Sequence, residues 1–144
     1  MQTSSSITLH RVQYYETDSM KIVHHSNYVK WMEEARQNYF KSAGFSWKEM
    51  EENTGIMIPV LYQSVEYRQM IRFDKSVKII CVCNKFNGVK MGFTYYFYVE
   101  GDESLKAIGI TKHGFIDSSY TPIALQNKYL KGYEQLKKFI KLER

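Results

Sequence analysis

The sequence is poor in cysteine and has no long apolar run. Its 144 residues include only two cysteines, Cys81 and Cys83, which would lie roughly 6.7 Å apart on one face of a strand, in directions poorly suited to a disulfide. This argues against a disulfide-stapled secreted scaffold, so we expect buried, reduced thiols in a cytoplasmic protein. The first residues lack the apolar core of a signal peptide, and no stretch is long enough to span a membrane.

The sequence also lacks runs of basic residues, repeats and linkers. The net charge of +5 favours an anionic partner, but without a run of five or more basic residues it gives little support for nucleic-acid binding. Apolar residues make up 44% and charged residues 24%, as in ordinary globular proteins. We therefore expect residues 1–144 to form one domain. The aromatic content of 15% favours a sheet with large side chains on both faces.

Two helices are predicted in the first third of the chain. Residues 26–43 carry apolar side chains at helical spacing, with Ser26 as the expected N-cap and Gly44 as the stop. Eighteen residues would span roughly 27 Å. Residues 46–49 then form a capping-box pattern, which opens a short helix that Gly55 ends.

Five strands and one more helix are predicted outside these two helices. Alternating apolar residues predict strands over residues 7–16, 56–67, 77–84, 89–99 and 105–117. Pro59 and the Gln63-Ser64 pair mark the second of these as an edge or bulged strand. Asn87-Gly88 predicts a type I′ hairpin turn, in which both residues have positive φ. Thr121-Pro122 is typical of an N-cap followed by proline at the first position of a helix.

This order of elements predicts an α+β fold. Consecutive hairpin-linked strands imply an antiparallel sheet, and the long helix can cover one face of it. A sheet of this size has edges and a second face to hide, so we expect a homodimer.

The loop before the long helix carries the residues best suited to chemistry. Asp18 lies in the loop predicted for residues 17–24, too early to cap the helix. A helix start offers unpaired backbone N–H groups to an oxyanion, here those of His25, Ser26 and Asn27. A carboxylate beside them can act as a general base on water or as a nucleophile. The residues thus indicate an acyl-transfer hydrolase without a Ser-His-Asp triad.

Plainer interpretations of these residues are common. A single loop aspartate is more often a turn former. His24 and His25 are more often a packed pair than metal ligands, because adjacent histidines are expected to point apart and no third ligand is evident. No metal site is therefore predicted.

Several motifs together resemble the hotdog-fold acyl-CoA thioesterases. The resemblance is closest to the 4-hydroxybenzoyl-CoA thioesterase-like branch, which includes the YbgC-type enzymes, and it spans nearly the whole chain. In that fold an antiparallel sheet wraps around a long central helix, and this branch adds a C-terminal helix. The motifs are Arg11-Val12, Glu16-Thr17-Asp18, Ile22-Val23-His24-His25-Ser26-Asn27-Tyr28 and Glu34-Ala35-Arg36.

The resemblance implies roles for individual residues. Asp18 matches the catalytic carboxylate, and His25 matches a position whose backbone N–H polarises the thioester carbonyl. Ser26, Asn27 and Tyr28 would line the first helical turn near the acyl group. The site would form between protomers of a homodimer or homotetramer. Coenzyme A would be part of the substrate, so no cofactor is expected.

The same residues are compatible with three other functions. An acyl-carrier-protein thioesterase, a non-hydrolytic acyl-CoA-binding protein and a hotdog hydratase or dehydratase are alternatives. Candidates for binding the CoA phosphates are Arg68, Arg72, Lys85 and Lys90. The chain also has Lys21 where the family usually has glycine. If that position has positive φ, lysine costs on the order of 1 kcal/mol.

Overall fold

The fold is a five-stranded antiparallel sheet, seen in a computed structural model that describes residues 4–141. Its strands are β1 (Ser5–Arg11), β2 (Val60–Tyr67), β3 (Ser76–Phe86), β4 (Lys90–Val99) and β5 (Ala107–Gly114). They are ordered β1-β3-β4-β5-β2, and every neighbouring pair is antiparallel. β1 and β2 are therefore the two edges of the sheet.

One long helix covers the sheet. The helices are α1 (Ser26–Ser42), α2 (Trp47–Thr54), α3 (Leu125–Lys128) and α4 (Leu130–Lys141). α1 packs against β1, β3 and β4, and its buried stripe meets the alternating buried residues of β3 and β4. Gly109 of β5 makes room for the helix, since a Cβ there would lie 2.2 Å from Met32 Sδ. The predicted α+β class is confirmed.

The first strand is shorter than predicted. The apolar pattern predicted a strand over residues 7–16, but β1 ends at Arg11 and Tyr14–Glu16 form one 3-10 turn. The side chain of Glu16 causes the change, because its carboxylate accepts the Gln13 N–H at 2.8 Å and closes the turn. That bond depends on burying a carboxylate, which strand periodicity does not register.

The ends of α1 and α2 test the predicted caps. The prediction of Ser26 as N-cap is wrong, because His25 holds that position and Ser26 is the first helical residue. Gly44 follows α1 with a φ of +72°, as expected of a helix stop. Ser46 caps α2 as predicted, since its side chain accepts the Glu49 N–H at 3.0 Å, and Gly55 ends α2 in the left-handed region.

The hairpin between β3 and β4 forms where predicted but with another turn. Gly88 has a φ of +85°, whereas Asn87 is not among the residues with positive φ, so the type I′ prediction is wrong. Instead the Asn87 side chain accepts the N–H groups of Val89 and Lys90 at 2.9 and 2.8 Å. A three-residue loop, closed by the asparagine side chain, therefore joins the strands.

β2 is the edge strand that Pro59 predicted. It begins at Val60 rather than residue 56, and its register with β5 shifts between Val60 and Tyr62. The bulge therefore lies at the start of the strand, near Pro59, and not at Gln63-Ser64, where the register is regular. Met57 makes only an isolated bridge to Ile116, so the segment before β2 runs beside the sheet without joining it.

The C-terminal helix begins later than Thr121-Pro122 predicted. Pro122 forms a bridge with Ile116, and the Asp117 side chain accepts the Thr121 N–H at 3.0 Å, so these residues form a turn. Helix starts only at α3 and is interrupted before α4. Gly132 of α4 is required by packing, because a Cβ there would lie 2.5 Å from the Tyr129 ring.

The two cysteines both lie in β3. Cys81 and Cys83 are buried and free, as predicted. Burial raises the pKa of the Cys83 thiol to about 11 and that of Cys81 further.

Among the described residues no helix is long and apolar enough to cross a membrane, and no group of three or more metal-binding side chains occurs.

Candidate active site

A tight loop carries Asp18 to the start of α1. The Asp18 N–H donates to the Ile22 carbonyl at 2.9 Å, and the Lys21 N–H donates to the Asp18 carbonyl at 3.0 Å. Hydrogen bonds from Val23 to Ile71 and from Phe73 to Lys21 then tie this loop to the segment before β3. The loop is therefore held by backbone bonds on both of its sides.

The Asp18 carboxylate has one engaged oxygen and one free oxygen. Oδ1 accepts the Met20 N–H at 2.8 Å and the Ile22 N–H at 3.3 Å. Oδ2 accepts no hydrogen bond from any residue within 4–141. The side chain is thus oriented through one oxygen, while the other remains available to a water or a substrate atom.

The backbone N–H of His25 is the available donor at the start of α1. Of the three predicted candidates, the Ser26 N–H donates to His24 Nδ1 at 3.2 Å and the Asn27 N–H donates to the His24 carbonyl at 3.0 Å. The His25 N–H has no acceptor in the described part of the chain. It lies at the positive end of the helix dipole, where a developing oxyanion is stabilised.

The two histidine rings stack instead of pointing apart. Their centroids are 4.2 Å apart and their planes differ by 32°, so that prediction is wrong. The cause is local: His24 Nδ1 bonds both the Ser26 N–H and the Ser26 hydroxyl, which folds its ring back over the helix start. An N–H donating to Nδ1 leaves the ring proton of His24 on Nε2.

Glu16 fixes the N-terminal side of the loop that carries Asp18. Its buried carboxylate bonds His10 Nε2 at 2.8 Å, the Gln13 N–H at 2.8 Å and Trp31 Nε1–H at 2.9 Å. Burial alone would raise the pKa of Glu16, but these hydrogen bonds lower it more, so the net pKa lies below its ordinary value. Its carbonyl also accepts the Asn27 side-chain N–H at 2.7 Å, which connects the loop to α1.

The backbone of Lys21 is strained, as the glycine that the family usually has at this position suggested. Its φ is +61°, in the left-handed region that favours glycine. The Lys21→Gly variant should therefore raise the free energy of unfolding by about 0.5–1 kcal/mol, measured by urea denaturation. Met20→Gly is the control, because Met20 lies in the same loop without positive φ. An equal gain in both variants, or a loss in Lys21→Gly, would contradict this account.

These groups face a cleft of about 350 Å³. Of the predicted site residues, Asp18, His25 and Tyr28 line it, whereas Ser26 and Asn27 do not. Asn27 is instead buried, with its side chain bonded to backbone carbonyls. The Asp18 carboxylate and the start of α1 at His25 therefore line the same cleft.

Apart from Arg68, the opposite wall of the cleft was not predicted from the sequence. It comes from Tyr67, Arg68, Gln69 and Met70 at the end of β2, far from the loop in sequence. The Tyr67 ring meets Tyr28 edge-on at 5.0 Å, and burial, with a smaller contribution from Tyr67, raises the pKa of Tyr28 to about 12. Arg68, one of the phosphate candidates, is the only described cation in this wall. No local motif marks these residues.

Comparison with known proteins places the chain in a family. The family model described as the thioesterase-like superfamily matches residues 12–130. A Bacillus subtilis (strain 168) protein named "Putative acyl-CoA thioesterase YneP" is 32% identical over 132 residues, covering 88% of this chain and 94% of the relative. An Aquifex aeolicus (strain VF5) protein named "Putative esterase" is 34% identical over 103 residues, covering 72% and 78%.

A solved structure agrees with the sequence comparisons. The DHNA-CoA thioesterase from Staphylococcus aureus superimposes with a TM-score of 0.89 at 31% identity, over 96% of this chain and 93% of that chain. The chain belongs to the thioesterase-like superfamily and has the hotdog fold, as its sequence predicted.

Proposed function

We propose that this protein is an acyl-CoA thioesterase, which hydrolyses an acyl-CoA to a free acid and CoA. The observation that carries the proposal is the pairing of a partly free Asp18 carboxylate with an unbonded His25 N–H on one cleft. Membership of the family and the names of its relatives support the substrate class.

The chemistry follows from these two groups. The thioester carbonyl oxygen accepts the His25 N–H, so the negative charge that develops on it is stabilised at the helix start. In one route Asp18 takes a proton from water, whose oxygen attacks the carbonyl carbon, and the CoA thiolate leaves. In the other, the Asp18 carboxylate attacks the carbonyl carbon and displaces the CoA thiolate, and water then hydrolyses the resulting anhydride. CoA is itself part of the substrate, so neither route uses a cofactor.

We also propose that the protein is a homodimer built on β2. This edge strand pairs only with β5 among the described strands, and Val60, Leu61, Tyr62 and Tyr67 are each about half exposed on it. An unpaired, apolar edge favours strand pairing with a second copy. Because the cleft wall continues directly from β2, such pairing would bring the partner to the cleft.

The Leu61→Lys variant tests this dimer. Lysine on an edge strand opposes pairing, so we expect light scattering to give twice the chain mass of 17.1 kDa for the wild type and a larger share of monomer for the variant. Ile7→Lys, at the opposite edge of the sheet and 60% exposed, is the matched control and should remain dimeric. A monomeric wild type would refute the dimer.

The function is tested by thiol release. Purified protein is mixed with acyl-CoAs that differ in length and aromaticity, including 1,4-dihydroxy-2-naphthoyl-CoA, and free CoA is followed with a thiol reagent. We expect turnover of at least one class. Tight binding without turnover across the panel would overturn hydrolysis, and turnover only of carrier-protein thioesters would overturn the CoA specificity.

A further inference from the structure

A second and larger cavity lies at the other end of β2. Its volume is about 600 Å³, and the segment 56–59, just before β2, forms one side of it. Its apolar lining comes mainly from α1, α2 and this segment: Phe40, Trp47, Met50, Ile56, Ile58 and Ile116. A space of this size and composition suits an apolar small molecule or acyl group.

One cation, Arg36, lines this cavity on the sheet side of α1. Its Nη1–H donates to the Tyr95 hydroxyl at 2.9 Å, and the side chain is half-buried. No carboxylate within residues 4–141 lies within 4.0 Å of its guanidinium. A guanidinium has five N–H donors, and Arg36 uses only the one bonded to Tyr95 toward residues 4–141, so most of its donors remain available beside an apolar space.

Among the described residues, the interior around Arg36 offers no compensating negative charge. The Tyr95 hydroxyl bonds Thr111 Oγ1 at 2.7 Å, and Thr111 Oγ1 bonds His113 Nε2 at 2.8 Å. Burial, and then the positive charge of Arg36, lower the pKa of His113 to about 4, so this ring is neutral at pH 7. The acidic residues lining the cavity, Glu33 and Glu51, are both exposed to solvent.

We infer that this cavity binds the acyl group of the substrate and that Arg36 binds a carboxylate at the end of that group remote from the thioester. The inference rests on the proposed function and its dimer. Antiparallel pairing of two β2 edges brings the segment 56–59 of one protomer beside the end of β2 in its partner, where the cleft lies. The apolar walls then contact the acyl chain, while the guanidinium forms a bidentate hydrogen-bonded pair with its carboxylate.

Matched acyl-CoAs test this inference. Adipoyl-, suberoyl- and sebacoyl-CoA have the same carbon numbers as hexanoyl-, octanoyl- and decanoyl-CoA but end in a carboxylate. At one length or more, we expect the wild type to show a higher kcat/KM for the dicarboxylic member of the pair. Arg36→Met should lower the ratio of kcat/KM for the dicarboxylic member to kcat/KM for the monocarboxylic member by about tenfold or more. This is the effect of losing a hydrogen bond to a charged group.

Two further variants separate charge from structure. Arg36→Lys keeps the charge without the planar fork and should give an intermediate ratio. Lys41→Met removes an exposed cation of the same helix outside the cavity and should leave the ratio unchanged. Thermal unfolding of each variant checks that it is folded.

The outcomes distinguish this inference from the proposed function. If the wild type hydrolyses the monocarboxylic members as well as the dicarboxylic ones at every length, thioesterase activity stands and the role of Arg36 is refuted. A preference that Lys41→Met lowers as much as Arg36→Met would refute it as well. If no thioester is hydrolysed, the proposed function itself is overturned.

Discussion

The Asp18→Asn variant is expected to lower kcat for acyl-CoA hydrolysis by about 10²–10⁴-fold, the usual contribution of a general base. An amide can neither take the proton of water nor attack the thioester. The loop itself should survive, because the asparagine Oδ1 still accepts the Met20 and Ile22 N–H groups that bond Asp18 Oδ1. Thiol release under saturating acyl-CoA measures the change.

Asp74→Asn is the matched control for this experiment. Asp74 is an exposed aspartate whose φ of +71° asparagine tolerates, and its ion pair with Arg11 lies at the surface. It should therefore keep nearly the wild-type rate. Full activity in Asp18→Asn, with unfolding unchanged, would remove Asp18 from the mechanism.

The same residue allows the two chemical routes to be separated. After a single turnover in water labelled with heavy oxygen, label in Asp18 identifies the carboxylate as the nucleophile, because it enters only when water attacks the aspartyl carbonyl of the anhydride. A general base leaves the protein unlabelled and places the heavy oxygen in the product acid. Mass spectrometry of the peptide containing Asp18 reads the result.

The sequence predicted the parts of the fold that depend on local pattern. The long helix was found because its buried stripe repeats at helical spacing, and the Ser46 cap was found because capping is local. The end of β1 and the starts of β2 and the C-terminal helix were misplaced. At β1 and the C-terminal helix a carboxylate, that of Glu16 or Asp117, closes a turn that periodicity does not reveal.

The candidate site divides in the same way. Asp18, His25 and the strained Lys21 lie within one short stretch of sequence, so their importance could be inferred from spacing and resemblance. The β2 side of the cleft and the cavity at Arg36 depend on how distant segments meet in the folded chain. No spacing in the sequence connects α1 with the ends of β2.

Glu16 connects the fold to the site, and its removal should have the largest effect on stability. Glu16→Ala leaves the buried Trp31 Nε1–H and the partly buried Gln13 N–H without an acceptor. We expect a loss of roughly 3 kcal/mol in the free energy of unfolding, since each unsatisfied buried donor costs about 1–3 kcal/mol. Urea denaturation measures it. Glu34→Ala is the control: Glu34 contacts the same His10 at 3.6 Å but is exposed, so it should cost less than about 1 kcal/mol.

The pH dependence of stability gives Glu16 a second, independent signature. Because folding lowers its pKa below the ordinary value of 4.5, its contribution is fully present above that pH and is lost as pH falls through the lower, folded pKa. The wild type should therefore lose stability on acidification below about pH 4.5, and Glu16→Gln should lose less over the same range. Equal acid slopes in both proteins would show that the carboxylate is not held in its charged form. Activity should fall along with stability in Glu16→Ala. Without the carboxylate that accepts the Gln13 N–H, the turn at Tyr14–Glu16 is no longer closed, and the Glu16 carbonyl that accepts the His24 N–H beside the Asp18 loop loses its fixed position.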